Sequence, residues 1–141
     1  MYLWHRVFPL KVLHIHKSSQ HRQRSVYKMH SLKIYLENQT HALDKDLYEM
    51  GFVCSQLNKY DEAVSYYNQL INSKSELSQN AYFQLGNAYL QTYKKQEALS
   101  AYRSAYQMNY DLNVKQLAHL QYAKLSYDIG NPFDSASSVI Q

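Results

Sequence analysis

A chain of 141 residues with 45% apolar content has room for one compact domain or a short repeat array, not for two large domains. Three Gly and two Pro are too few for the hairpins and corners of an all-β fold, so an all-α chain is expected. The net charge of +4 is lopsided: before Asp44, seven Lys or Arg face Glu37 alone, whereas the remainder holds eight against ten carboxylates, which argues against a nucleic-acid surface spread over the whole domain.

Residues 1–43 are therefore a basic N-terminal segment, expected to be disordered or to form a leading helix. Residues 2–15 come closest to a membrane span, but His5, Arg6, Pro9 and Lys11 interrupt them and no small-residue cleavage site follows. Neither a transmembrane segment nor a signal peptide is expected. The compartment stays open, cytoplasmic or periplasmic if the chain belongs to a longer bacterial protein. Six of the seven histidines lie here, including His14, His16 and His21. Two histidines separated by one residue share a face only in a strand, no Cys or carboxylate stands near, and the surrounding cations repel a metal, so no metal site is expected. Arg22, Arg24, Lys28 and Lys33 interleaved with Tyr27 and Tyr35 suit phosphate contacts, with a solvated basic arm as the simpler reading. Val26, Met29, Leu32 and Leu36 share one helical side, as in a capping helix or a worn-down repeat.

From Asp44 the apolar residues fall at helical spacing, predicting helices over 44–57, 60–72, 79–92, 95–108, 115–129 and 132–141. Asp61 and Glu62 suit the positive end of the second helix, Ser78 is expected to cap the third, and Asn131-Pro132 to start the sixth. Gly51 and Gly86 are 35 residues apart, as are Ala63 and Ala98, and a weaker third copy puts Ala123 37 residues after Gly86. Small residues at this interval let paired helices cross closely. Leu in place of Ala98 should then overpack the crossing, while Ala in place of Gly86 should be milder. Cys54, alone of its kind, reads as a small buried hydrophobe.

The run Tyr82, Leu85, Gly86, Tyr89, Ala98, Tyr102, Ala105, with Tyr110 where a proline is usual, resembles the tetratricopeptide repeat, and Leu47, Met50, Gly51, Cys54, Ala63, Tyr67 and Leu70 form an earlier copy. Residues 80–102 with 122–135 are also similar to repeats of large multi-repeat proteins of Bacteroidota. The resemblance implies an α-α superhelix of about three antiparallel hairpins over 44–141, divided 44–77, 78–112 and 113–141, the last cut short. It also implies a concave groove lined by Lys45, Tyr48, Phe52 and Gln56, then Asn80, Phe83, Asn87 and Gln91, then Leu120, Lys124 and Tyr127. Aromatic rings and amides suit a peptide or partner helix. Some relatives in the family grip a C-terminal carboxylate with cations, but the corresponding positions hold Tyr48, Phe52, Gln84, Leu117 and Gln121, so that clamp is missing.

No phosphate loop, nucleophile elbow or His-Glu-x-x-His occurs, so no catalysis, cofactor or small-molecule substrate is expected. The expected role is a protein-interaction scaffold or adaptor, with self-association through an open C-terminal end. The alternative is attachment to nucleic acid or a membrane surface through the basic arm.

Overall fold

A computed structural model describes the backbone of residues 4–130 and the side chains of residues 17–130; the expected helix 132–141, with its start signal at Asn131-Pro132, lies outside the described residues. Among these the chain is all-helical: α1 Trp4–Glu37, α2 Asp44–Gln56, α3 Tyr60–Asn68, α4 Glu76–Gln91, α5 Lys95–Gln107 and α6 Leu112–Ile129. Each helix packs on the next, and α2 also touches α4 and α4 touches α6, whereas α3 and α5 do not meet. The row α2, α4, α6 is thus the closer-spaced side of an α-α superhelix, and α3 and α5 diverge on its outer side. A cavity of about 230 Å³ opens in that divergence, with Asn68 and Ile71 on one wall, Ser100 and Ser104 on the other, and Tyr82 and Tyr89 among its lining residues.

The two hairpin turns are the same turn twice. Asn58 and Tyr93, 35 residues apart, both take a left-handed φ of 61°. In each the following amide reaches back to the helix, Lys59 N to Cys54 O at 2.9 Å and Lys94 N to Tyr89 O at 2.8 Å. This closes the helix end without glycine. Asn tolerates that conformation, but Tyr does so at a cost.

The glycines face tyrosine rings. A Cβ on Gly51 would stand 2.7 Å from Tyr67 Cε1, and one on Gly86 2.5 Å from Tyr102 Cε1, so the helices cross with an aromatic ring laid flat where a side chain would be. Ala63, Tyr67, Ala98, Tyr102 and Ala105 are wholly buried behind them. Ala at Gly86, expected to be milder than Leu at Ala98, still requires the fully buried Tyr102 ring to shift. In α6 the buried line continues through Ala118, Tyr122 and Leu125, 37 residues after Ala81, Leu85 and Ala88. Ala123 is half-buried beside them.

Two helix starts differ from the sequence reading. Ser75, not Ser78, caps α4: its hydroxyl accepts from Ser78 N at 3.3 Å while Ser78 Oγ accepts from Ser75 N at 3.0 Å, a reciprocal box that begins the helix three residues earlier. Asp111 does the same for α6, accepting from Asn113 N at 2.8 Å. Next to the first box lies Gln79, fully buried, whose Nε2 donates to Ala105 O, Met108 O and Asp111 O at 3.1 Å each while its Oε1 accepts from Asp111 N at 2.7 Å. One amide thereby laces the link between α5 and α6 to α4 at the place where Tyr110 replaces the usual proline.

The second half of α1 lies along α2. Met29, Leu32 and Leu36 pack into the first core, Ser25 Oγ donates to Gln56 Oε1 at 3.1 Å, and Lys28 pairs with Glu49. Pairing of Ser25 with Gln56 and of Lys28 with Glu49 makes the two helices antiparallel. Val26, expected on the packed side, is exposed.

Candidate functional site: the inner face of α2, α4 and α6

On the inner row, positions three, four and seven apart bring side chains to one side of each helix. α2 presents Lys45, Tyr48 and Phe52, α4 presents Asn80, Phe83, Asn87 and Gln91, and α6 presents Leu117, Leu120, Lys124 and Tyr127. Their environments differ. Phe52 is 41% exposed, Leu117 and Leu120 are each 49% exposed and Tyr127 is 84% exposed, whereas Tyr48 and Phe83 are half-buried. The half-buried pair forms the floor: the Tyr48 ring lies 5.7 Å from that of Tyr67, and Phe83 lies 5.8 Å from Tyr102, both tilted.

A polar thread runs along this floor. Gln84 is the polar side chain beside the Tyr48 hydroxyl. Gln84 Oε1 accepts from Asn87 Nδ2 at 3.2 Å, and Asn87 Oδ1 accepts from the Tyr102 hydroxyl at 2.7 Å. Burial pushes the Tyr48 hydroxyl above the usual tyrosine range, and Gln84 partly opposes this. Burial alone pushes Tyr102 up to about 12. Gln84 was read only as an unmatched clamp position, yet it stands beside Tyr48 of α2 and accepts from Asn87 in α4; its place one residue after Phe83 was the available signal.

The two repeats are not equivalent here. Phe52 stands 35 residues before Asn87, and Tyr67 stands 35 before Tyr102. With Phe at the first position, the buried Tyr67 hydroxyl has no hydrogen-bond partner of regular geometry, and Ser55 is the polar side chain beside it. Burial raises its pKa strongly.

Three of the expected groove residues stand apart from the apolar strip. Gln56 turns toward α1 and receives the Ser25 hydroxyl, because α1 continues past the end of α2. Asn80 Nδ2 donates to Glu76 O at 3.0 Å within its own helix. Gln91 is exposed at the end of α4. Lys45 and Lys124 are exposed beside the strip, with no ion pair among the described residues. Cys54 is wholly buried, with its thiol pushed up to about 11, chiefly by desolvation. Among the described residues no three His, Cys, Asp or Glu come together as metal ligands, and no helix is long and apolar enough to cross a membrane.

Comparison with known proteins agrees with this architecture. The tetratricopeptide repeat family matches residues 47–76 and 79–112, the two hairpins with their glycine-tyrosine crossings. No curated protein matches the chain. Repeats of this kind mediate protein–protein interactions on a scaffold that is itself without catalytic chemistry. The matched spans, the helix order and the recurring crossings together make residues 47–112 a pair of tetratricopeptide repeats.

Proposed function

We propose that the inner face of α2, α4 and α6 binds a peptide segment or helix of a protein partner, and that the chain acts as a scaffold or adaptor without catalysing a reaction. The observation that carries this reading is the strip of solvent-facing apolar side chains Phe52, Leu117, Leu120 and Tyr127 above a floor already tied down by internal hydrogen bonds. A floor ordered before binding has little conformational freedom left to lose when a partner covers the strip above it. In this reading residues 44–112 are two complete repeats, α6 opens a third, and α1 closes the outer side of the first.

The test is to change Phe52, Leu120 and Tyr127 together to Ala and to measure recovery of protein partners on the immobilised full chain. These three are exposed, so the fold is expected to survive, whereas Tyr48 and Phe83 pack against core tyrosines and would confound the result. Loss of partners recovered by the unaltered chain supports the reading, and unchanged recovery with an unchanged melting curve overturns it. The same strip makes a second copy of the chain a competing occupant. Sedimentation velocity over a concentration series separates that case, because self-association would shift the boundary with concentration.

A further inference from the structure

We propose that the cleft between α1 and the corner joining α2 to α3 is a binding site for a small oxyanion group, a phosphate or a carboxylate. This site lies apart from the inner face and does not depend on the reading given to that face. Its origin is a length mismatch. α1 outruns α2, so the line of α1 that faces the core, Met29, Leu32 and Leu36, continues toward the N-terminus as Ser25, Arg22, His21 and Ser18 after α2 has ended. These four residues are spaced to lie on that same side of the helix. Opposite them stand Gln56 at the last turn of α2 and Asn58 in the left-handed turn. The six residues enclose a cleft of about 350 Å³.

The lining is made of donors. It contains a guanidinium, an imidazole, two hydroxyls and two amides, and no carboxylate. Asn58 has its oxygen committed elsewhere, since Oδ1 accepts from the Tyr60 hydroxyl at 2.9 Å, whereas the Gln56 amide shares the Ser25 hydroxyl, 3.1 Å away, with His21 O at 3.2 Å. The Asn58 NH2 is therefore the end left to donate, and Gln56 adds a second amide beside it. Arg22 has no carboxylate partner among the described residues, whose ion pairs are Lys28–Glu49, Lys59–Glu62 and Lys94–Asp61. A planar guanidinium beside two amide donors is the arrangement that binds an oxyanion with several charge-assisted hydrogen bonds at once. Ser25 is buried and holds the arrangement, joining α1 to Gln56 across the base of the cleft.

The experiment is a nuclear magnetic resonance titration of the full chain with inorganic phosphate, with a parallel titration by acetate at matched ionic strength. The expected result is saturable shifts at the side-chain NH2 groups of Gln56 and Asn58 and at Arg22 Nε with at least one of the two anions. The pair of titrations identifies which oxyanion is preferred. Arg22→Gln should weaken binding at least about tenfold, the usual worth of one charge-assisted bond. Lys33→Gln, on the same helix outside the cleft, should leave binding unchanged. Arg22 is exposed, so both variants should keep the melting temperature of the parent. No saturable shift with either anion would overturn the site. So would equal weakening by the two variants, because that result reports only the general positive charge of α1.

Discussion

Replacing Gly86 by Ala sets two forces of known size against each other. Within a helix the exchange alone is favourable by about 1 kcal/mol, because glycine loses more backbone freedom on folding. Against this, the added Cβ would lie 2.5, 2.6 and 2.8 Å from three atoms of the Tyr102 ring. The ring is fully buried, rests on Phe83 at 5.8 Å, and is anchored by its hydroxyl to Asn87 at 2.7 Å. It must retreat by most of an ångström, which costs about 1–3 kcal/mol as overpacking and a further ~1–2 kcal/mol if the anchored hydroxyl is left unpaired. The net expectation is a loss of about 1–4 kcal/mol, read as a lower denaturant midpoint by far-ultraviolet circular dichroism. A double-mutant cycle isolates the cause: with Tyr102→Leu already present, Gly86→Ala should become neutral or stabilising by up to about 1 kcal/mol. If Gly86→Ala alone left the midpoint unchanged or raised it, the close crossing of ring and backbone would not be what holds the hairpin.

Four further outcomes follow from particular residues. Gln79→Leu strands three carbonyls and one amide at the α5–α6 link, and should cost about 3 kcal/mol or more, with amide exchange at Met108 to Asp111 accelerating before that of the α2–α3 hairpin. Tyr93→Gly removes a left-handed tyrosine that is 90% exposed and packs on little, and should raise the midpoint by about 1 kcal/mol, whereas Asn58→Gly should change it by only a few tenths. Phe52→Asn copies the second repeat into the first by offering the Tyr67 hydroxyl the partner that Asn87 offers Tyr102, and should stabilise by about 0.5–1.5 kcal/mol in chemical denaturation. Because Cys54 is raised to about 11 and Tyr102 to about 12 in the folded chain, the unfolded chain ionises first. Stability should stay level up to about pH 9 and then fall as pH rises through these folded values, and Cys54→Ala should blunt the earlier part of that fall in a pH series of melts.

Much of the fold was legible because the feature that builds it is periodic. A glycine that must face an aromatic ring recurs at 35 residues along with the ring itself, so Gly51 with Tyr67 and Gly86 with Tyr102 declare the crossings on the sequence. What escaped were features with no period. Gln79 reads as an ordinary polar helix residue, and only the return of the α5–α6 link onto α4 turns it into a buried clasp; the corresponding position of the first repeat holds Asp44, which is exposed. Ser75 and Ser78 are both acceptable caps, and the reciprocal bond between them decided which one ends up outside the helix. The left-handed turns lacked their usual glycine, so Tyr93 gave no sign of its conformation. On the inner face, helical spacing identified which side chains share a side, but not which of them the neighbouring helices would use up: Gln56 goes to α1, while Gln84, seen only as an unmatched clamp position, accepts from Asn87 on the floor.

The most direct test of the central reading is to select binding peptides on the full chain from a random library and map the strongest one by amide and methyl chemical shifts. The account predicts that shifts cluster on α2, α4 and α6, at Phe52, Asn87, Leu117, Leu120 and Tyr127, and vanish together when Phe52, Leu120 and Tyr127 are changed to Ala. Shifts confined to α3 and α5, or a peptide that binds the altered chain equally well, would contradict it.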